Sequence, residues 1–196
     1  MIDDLDEALK ELLGTSLPAA LRDQVNFSFA APDNEFHSSV TLPAVDLFLY
    51  DIRENLDLRS NDEYLQRQAD GSTLRSRAPI RVDASYLITA WPGATERDKP
   101  EEEHYLLGQV MQALLRHRVL PRRVLKGSLA NQKLPLPVST LHPGRLQSLG
   151  EFWQALGGKP KAALNYTVTL AVDVSEPEVV PLVTEKVFNI HMGNAA

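Results

Sequence analysis

The chain contains no cysteine. That excludes disulfide frameworks, thiolate nucleophiles and zinc–thiolate sites, and it leaves the redox compartment unreadable. A basic excess is missing too: 20 lysines and arginines against 26 acids give a net charge of -6, whereas proteins that grip phosphate backbones carry surplus positive charge. No apolar run reaches the roughly 20 residues of a bilayer span. The first residues, Met1 to Glu7, are acidic where a signal peptide would be basic. The expectation is a soluble, cytoplasmic product with no membrane partner.

Catalytic signatures are equally scarce. The nearest approach to a nucleophile turn, "KGSLANQ" around Ser128, lacks a second glycine and follows no apolar strand. Phosphate-binding and dinucleotide-binding glycine loops do not occur, and the "LGG" of residues 156 to 158 reads as a helix stop. His37, His104, His117, His142 and His191 are scattered, with no pair at metal-ligand spacing. Glu101, Glu102 and Glu103 suit the positive end of a helix dipole without any acid–base role. No catalytic residue, cofactor or metal is expected, and no small-molecule substrate.

What is present is an ordinary globular composition, 43% hydrophobic and 23% charged over 196 residues, which predicts one domain spanning 1–196. Ile2, Leu5, Leu9, Leu12 and Leu13 recur at helical spacing behind an acidic first turn. Val25, Phe27 and Phe29 alternate as a short strand, and residues 44 to 53 read as a strand covered on both faces. In "PIRVDASYLITAW" Ile80, Val82, Ala84, Tyr86, Ile88 and Ala90 share one face, the clearest strand of the chain. Leu106, Leu107, Val110, Met111, Leu114 and Leu115 form the strongest helical stripe, with Asp98 and Glu101 as its capping pair.

Prolines 121, 135 and 137 make residues 120 to 143 irregular, with a strand at "LPLPVSTL" confined to an edge. Leu146, Leu149, Phe152, Trp153 and Leu156 predict a short helix, and Leu164 to Val172 alternate as a half-buried strand. These elements predict an α+β fold, a single mixed, largely antiparallel sheet with helices packed on it. From 55 to 79 the periodicity dissolves, which marks a long loop or binding arm. Residues 179–196 are expected to form a C-terminal strand and tail, carrying "VVPLVTEKVFNI".

Two charged stretches are the candidate partner surfaces. In "VDLFLYDIRENLDLR" a greasy strand ends in alternating signs, and Asp51, Arg53, Glu54, Asp57 and Arg59 form a strip that a neighbouring subunit's charges would match. Arg116, Arg118, Arg122 and Arg123 lie beyond the long helix, where a helix C-terminus favours cations unaided. Their functional alternative is a grip on an acidic protein surface or on nucleic acid. The 116–126 cluster as an adaptor for nucleic acid or protein, and an enzyme of unrecognised type, stay open as rival functions.

Four blocks in order, "LFLYDIREN" at 47 to 55, "RVDASYLITAW" at 81 to 91, "EEEHYLLGQVMQALLRHRVLP" at 101 to 121 and "FWQALGGKPKAALNYTVTL" at 152 to 170, span nearly the whole chain. Together they resemble the N-terminal domain shared by tail-terminator, or cap, proteins of phage-tail-like contractile injection systems of the antifeeding-prophage type. Ala84 departs from the larger apolar residue common there. The resemblance implies a fold similar to phage tail terminators and a non-enzymatic assembly function. It implies a homohexameric ring that caps the inner tube protein and the terminal layer of sheath protein, at the end of the particle remote from the baseplate. Under it the strip at 51 to 59 meets the next subunit, and the C-terminal segment with Val187 and Phe188 adds as a strand to the sheath.

Overall fold

The computed structural model describes residues 1–93, 100–141 and 148–180. Its main body is a five-stranded mixed sheet with helices on both faces. The strands run in the spatial order β1 (Asn26–Ser28), β2 (Ala44–Glu54), β5 (Ile80–Trp91), β7 (Leu164–Val172) and β6 (Val138–Thr140). Only the β1–β2 pair is parallel; β2–β5, β5–β7 and β6–β7 are antiparallel. The proline-flanked β6 takes an edge, where a missing ladder donor does least harm.

One face of the sheet is covered by α1 (Ile2–Ser16) and α4 (Pro100–Leu115). Leu5, Leu9, Leu12 and Leu13 of α1 and Leu106, Val110 and Leu114 of α4 are buried against Val45 and Leu47 of β2 and Ala84, Tyr86, Ile88 and Ala90 of β5. Each such large side chain contributes roughly 1.5–3 kcal/mol on burial, so the stripes that define the two helices also hold them down. Leu115, the last member of the α4 stripe, is exposed instead, because the helix ends there and the chain turns away. The Tyr86 hydroxyl crosses this core to donate to Asp6 Oδ1 at 2.7 Å.

The opposite face carries a smaller aromatic core. There Phe36 of the short helix α3 (Phe36–Ser39) stacks on Trp91 at 4.4 Å, whereas α2 (Ala19–Arg22), which precedes β1, packs its Leu21 on the larger core. Further along, α5 (Leu149–Ala155) starts at Ser148, whose Oγ accepts from the Glu151 amide at 3.2 Å, and is closed by Gly157 at φ 68°. Its Trp153 is buried and its Phe152 approaches Phe48 of β2. The Lys161 ammonium sits 4.4 Å above the Trp91 ring and pairs with Glu103 of α4. Leu146 and the Asp98 half of the expected capping pair lie outside the described residues.

The expectation of one sheet and an irregular 55–79 segment is corrected here. Residues 63–77 form a hairpin, β3 (Glu63–Arg67) and β4 (Thr73–Arg77), and β8 (Glu178–Val180) adds to β4 to make a second, three-stranded antiparallel sheet. Its turn is well formed: Gly71 sits at φ 85°, its amide donates to the Gln68 carbonyl at 3.1 Å, and Asp70 Oδ1 accepts from the Ser72 amide at 2.9 Å. The strands escaped the periodicity because all five residues of β3 are exposed, so no apolar/polar alternation marks a buried face. Asp70-Gly71 was the one local signal for the hairpin.

Candidate protein interface

The end of β2 decides where this second sheet stands. The last ladder pairs join Arg53 to Asp83 and Glu54 to Val82, and the chain then leaves the sheet at Asn55. There the Asn55 amide nitrogen donates to both carboxylate oxygens of Asp83, at 3.0 and 3.1 Å, while Asn55 Oδ1 accepts from the Leu58 amide and caps a single 3-10 turn, Leu56–Leu58. Asp83 is buried and takes a third bond from the Thr169 hydroxyl at 2.7 Å. One aspartate thus ties together β5, β7 and the root of the arm. Sequence reading passed over it, although a carboxylate in the most regular strand of the chain was a signal.

The charges of the strip are engaged with one another. Arg53 Nε lies 2.5 Å from Asp51 Oδ2, and Arg59 Nε lies 3.0 Å from Glu54 Oε1 across the 3-10 turn. Asp51 raises the Arg53 guanidinium above its already high ordinary pKa. Asp57 is exposed on that turn. What the local pairing leaves uncovered is apolar: Ile52, Leu56 and Leu58 are 47–65% exposed, and Tyr64, Leu65 and Val179 are exposed on the second sheet. Between the arm and the main body lies a cleft of about 980 Å³, walled by Tyr64 and Gln66 on one side and Leu134, Ala171 and Val174 on the other.

The basic stretch runs back along α1 rather than capping α4. Arg116 reaches the Ser16 carbonyl at the C-terminal end of α1 at 3.4 Å, Lys126 pairs with Glu11, and Ser128 donates from its hydroxyl to Asp4 Oδ2 at 2.6 Å. Arg122 and Arg123 stand exposed on a 3-10 turn, Arg122–Val124, and Arg118 is exposed while its backbone carbonyl accepts from Val138. His117 registers this field: partial burial first, then the positive charges of Arg123 and Arg116, hold its pKa below the ordinary value. Ser128 is a docking residue, its hydroxyl and amide together keeping the Asp4 carboxyl below the usual carboxylate range.

His37 packs edge-on to Trp91 at 4.6 Å, and His104 is exposed on α4. Among the described residues no group of histidines and carboxylates is placed to hold a metal ion, and no helix is long and apolar enough to cross a membrane. Val187, Phe188, His142 and His191 lie outside the described residues.

A model of the Pvc16 N-terminal domain matches residues 4–185. The chain belongs to the Pvc16 N-terminal domain family. As a Pvc16 N-terminal domain it is similar in structure to the sheath/tube terminator of an extracellular contractile injection system, PVC, solved in the extended state. That likeness has a TM-score of 0.69 at 26% identity and covers 100% of this chain and 65% of the other. It is similar as well to the tube-terminating cap of the anti-feeding prophage, with a TM-score of 0.65 at 26% identity over 97% of this chain and 61% of that one. The chain therefore spans less than two thirds of the length of these two relatives. No curated protein matches it. The α+β architecture expected from the sequence is that of these terminators; the second sheet was not part of that expectation.

Proposed function

We propose that this Pvc16 N-terminal domain caps the inner tube and the last sheath layer of a phage-tail-like contractile injection particle. It does so as one subunit of a homohexameric ring at the end remote from the baseplate, and it stops further growth there. The likeness to a sheath/tube terminator and to a tube-terminating cap supports this reading. The observation that carries it is the arm: a three-stranded sheet whose strand β3 is wholly exposed, with the apolar residues of its root and faces uncovered. Small isolated sheets need a covered face to be stable in water, so this one is built to be covered by another protein.

In the ring, Ile52, Leu56 and Leu58 form the dry middle of the contact with the next subunit, and Asp51, Arg53, Glu54, Asp57 and Arg59 form its polar rim. The contact is head to tail, the type that closes into a ring. The exposed Arg118, Arg122 and Arg123, with Arg116 beside them, form a second contact that meets an acidic surface of tube or sheath. Val187 and Phe188, outside the described residues, belong to the C-terminal segment that this reading assigns to contact with the sheath.

The test is assembly of particles with this chain absent, and with residues 63–77 replaced by a short glycine-serine linker. Electron micrographs should show tubes of uncontrolled length in both cases. Particles of normal length that fire normally without the chain would overturn the proposal.

A further inference from the structure

Among the described residues β3 is hydrogen-bonded to β4 alone, so its other edge presents open backbone donors and acceptors. Such an edge recruits another strand unless it is blocked. The side chains along it are "EYLQR", and period-two geometry puts Glu63, Leu65 and Arg67 on one face with Tyr64 and Gln66 on the other. This pattern is self-complementary when read antiparallel. A second β3 laid against the first about Leu65 sets Glu63 opposite Arg67 at one end and Arg67 opposite Glu63 at the other. Leu65 then meets Leu65, and Tyr64 meets Gln66 on the reverse face.

The charges are available for it. Arg67 has no ion-pair partner among the described residues and faces Thr73 across the hairpin. Glu63 is 3.9 Å from Arg75, whose closer partner is Glu178 at 2.8 Å. Leu65 itself is among the most exposed large apolar residues of the molecule.

We propose that the free chain forms a twofold dimer in which two β3 strands pair antiparallel about Leu65, joining two three-stranded sheets into one of six strands. The contact is isologous and cannot propagate around a ring. It therefore belongs to the chain before incorporation, when it shields the edge, and it stands or falls independently of the capping role.

Light scattering of the purified chain across micromolar concentrations should give twice the 21.8 kDa monomer mass. Arg67→Glu and Glu63→Arg each set like charges opposite at both ends, and each should raise the dissociation constant by about tenfold or more. An equimolar mixture of the two variants restores both attractions and should dimerise again. Because the chain has no cysteine, Leu65→Cys supplies a readout that leaves the charges intact: mild oxidation should link two chains through residue 65. A wild-type chain that stays monomeric, a dimer that Arg67→Glu leaves unweakened, a mixture that does not recover, or a Leu65→Cys chain that does not cross-link would each overturn the pairing.

Discussion

Asn55 holds both carboxylate oxygens of Asp83, at 3.0 and 3.1 Å, at the point where β2 leaves the main sheet. This contact, one nitrogen shared between two oxygens, anchors the arm at its root. Asn55→Leu strips the side-chain amide donor from a buried carboxylate and leaves it the Thr169 hydroxyl. The expected cost is about 1–3 kcal/mol, or several degrees in melting temperature. Limited proteolysis within residues 55–79 should accelerate more than cleavage elsewhere. Equal protection of the arm in variant and wild type would show that something else anchors it.

Asp46 is fully buried in β2, opposite Thr89 of β5 and Ser28 of β1. Burial pushes its pKa up to about 8, against the smaller opposing pull of the Ser28 hydroxyl and the Leu47 amide. The folded protein therefore holds a proton that the unfolded chain has released above about pH 4. Stability must fall as pH rises from there toward 8, by up to about 1.4 kcal/mol per unit, and level off beyond. Asp46→Asn should flatten that slope and stabilise the protein at pH 8. Denaturant melts of both proteins between pH 5 and 9 provide the check.

Gly127 sits at φ 55°, and a β-carbon there would come 1.9 Å from Asp4 Oδ1. Gly127→Ala should break the bond between Ser128 and Asp4 and cost about 1–2 kcal/mol through backbone strain and displacement of α1's first turn. Asp4→Ala, which removes the obstructing carboxyl, should make the glycine substitution cheaper. Strict additivity of the two changes would argue against the contact.

Lys161 bridges the two faces of the molecule, its ammonium over Trp91 and paired with Glu103 of α4, both side chains mostly covered. Lys161→Met keeps the aliphatic packing but leaves Glu103 without its cation. A loss of about 1–3 kcal/mol is expected, and Glu103→Gln in the same chain should recover part of it.

Where the sequence was readable, one face of an element was buried and the other was not. Leu5, Leu9 and Leu12 on α1 and the Leu106 to Leu114 stripe on α4 obey this rule; Ala84, Tyr86, Ile88 and Ala90 of β5 join them in one core, although β5 buries its other face as well from Asp83 to Trp91. β3 breaks the rule because neither of its faces is buried, and β4 buries only Thr73, so the hairpin left only Asp70-Gly71 as a trace. The strip at 51 to 59 was visible as charge, but its internal pairing depends on a 3-10 turn that brings Arg59 back to Glu54, and no composition reveals that. Asp46 and Asp83 sit in strands of similar character, yet one is buried without a cation and the other is knotted to Asn55 and Thr169. Only the third dimension separates them.

The ladder between β2 and β5 runs antiparallel from Ala44 opposite Trp91 to Glu54 opposite Val82, with one register shift at Tyr50, and the arm hangs from its far end. Tension applied to the arm along the axis of β2 meets that ladder lengthwise. The arm is joined at that same end to β5 and, through β8, to β7, so such a pull is shared among three covalent connections to the main sheet. Anchored in this way, the appendage can transmit a sudden axial load to the whole body of the protein without tearing loose at its root.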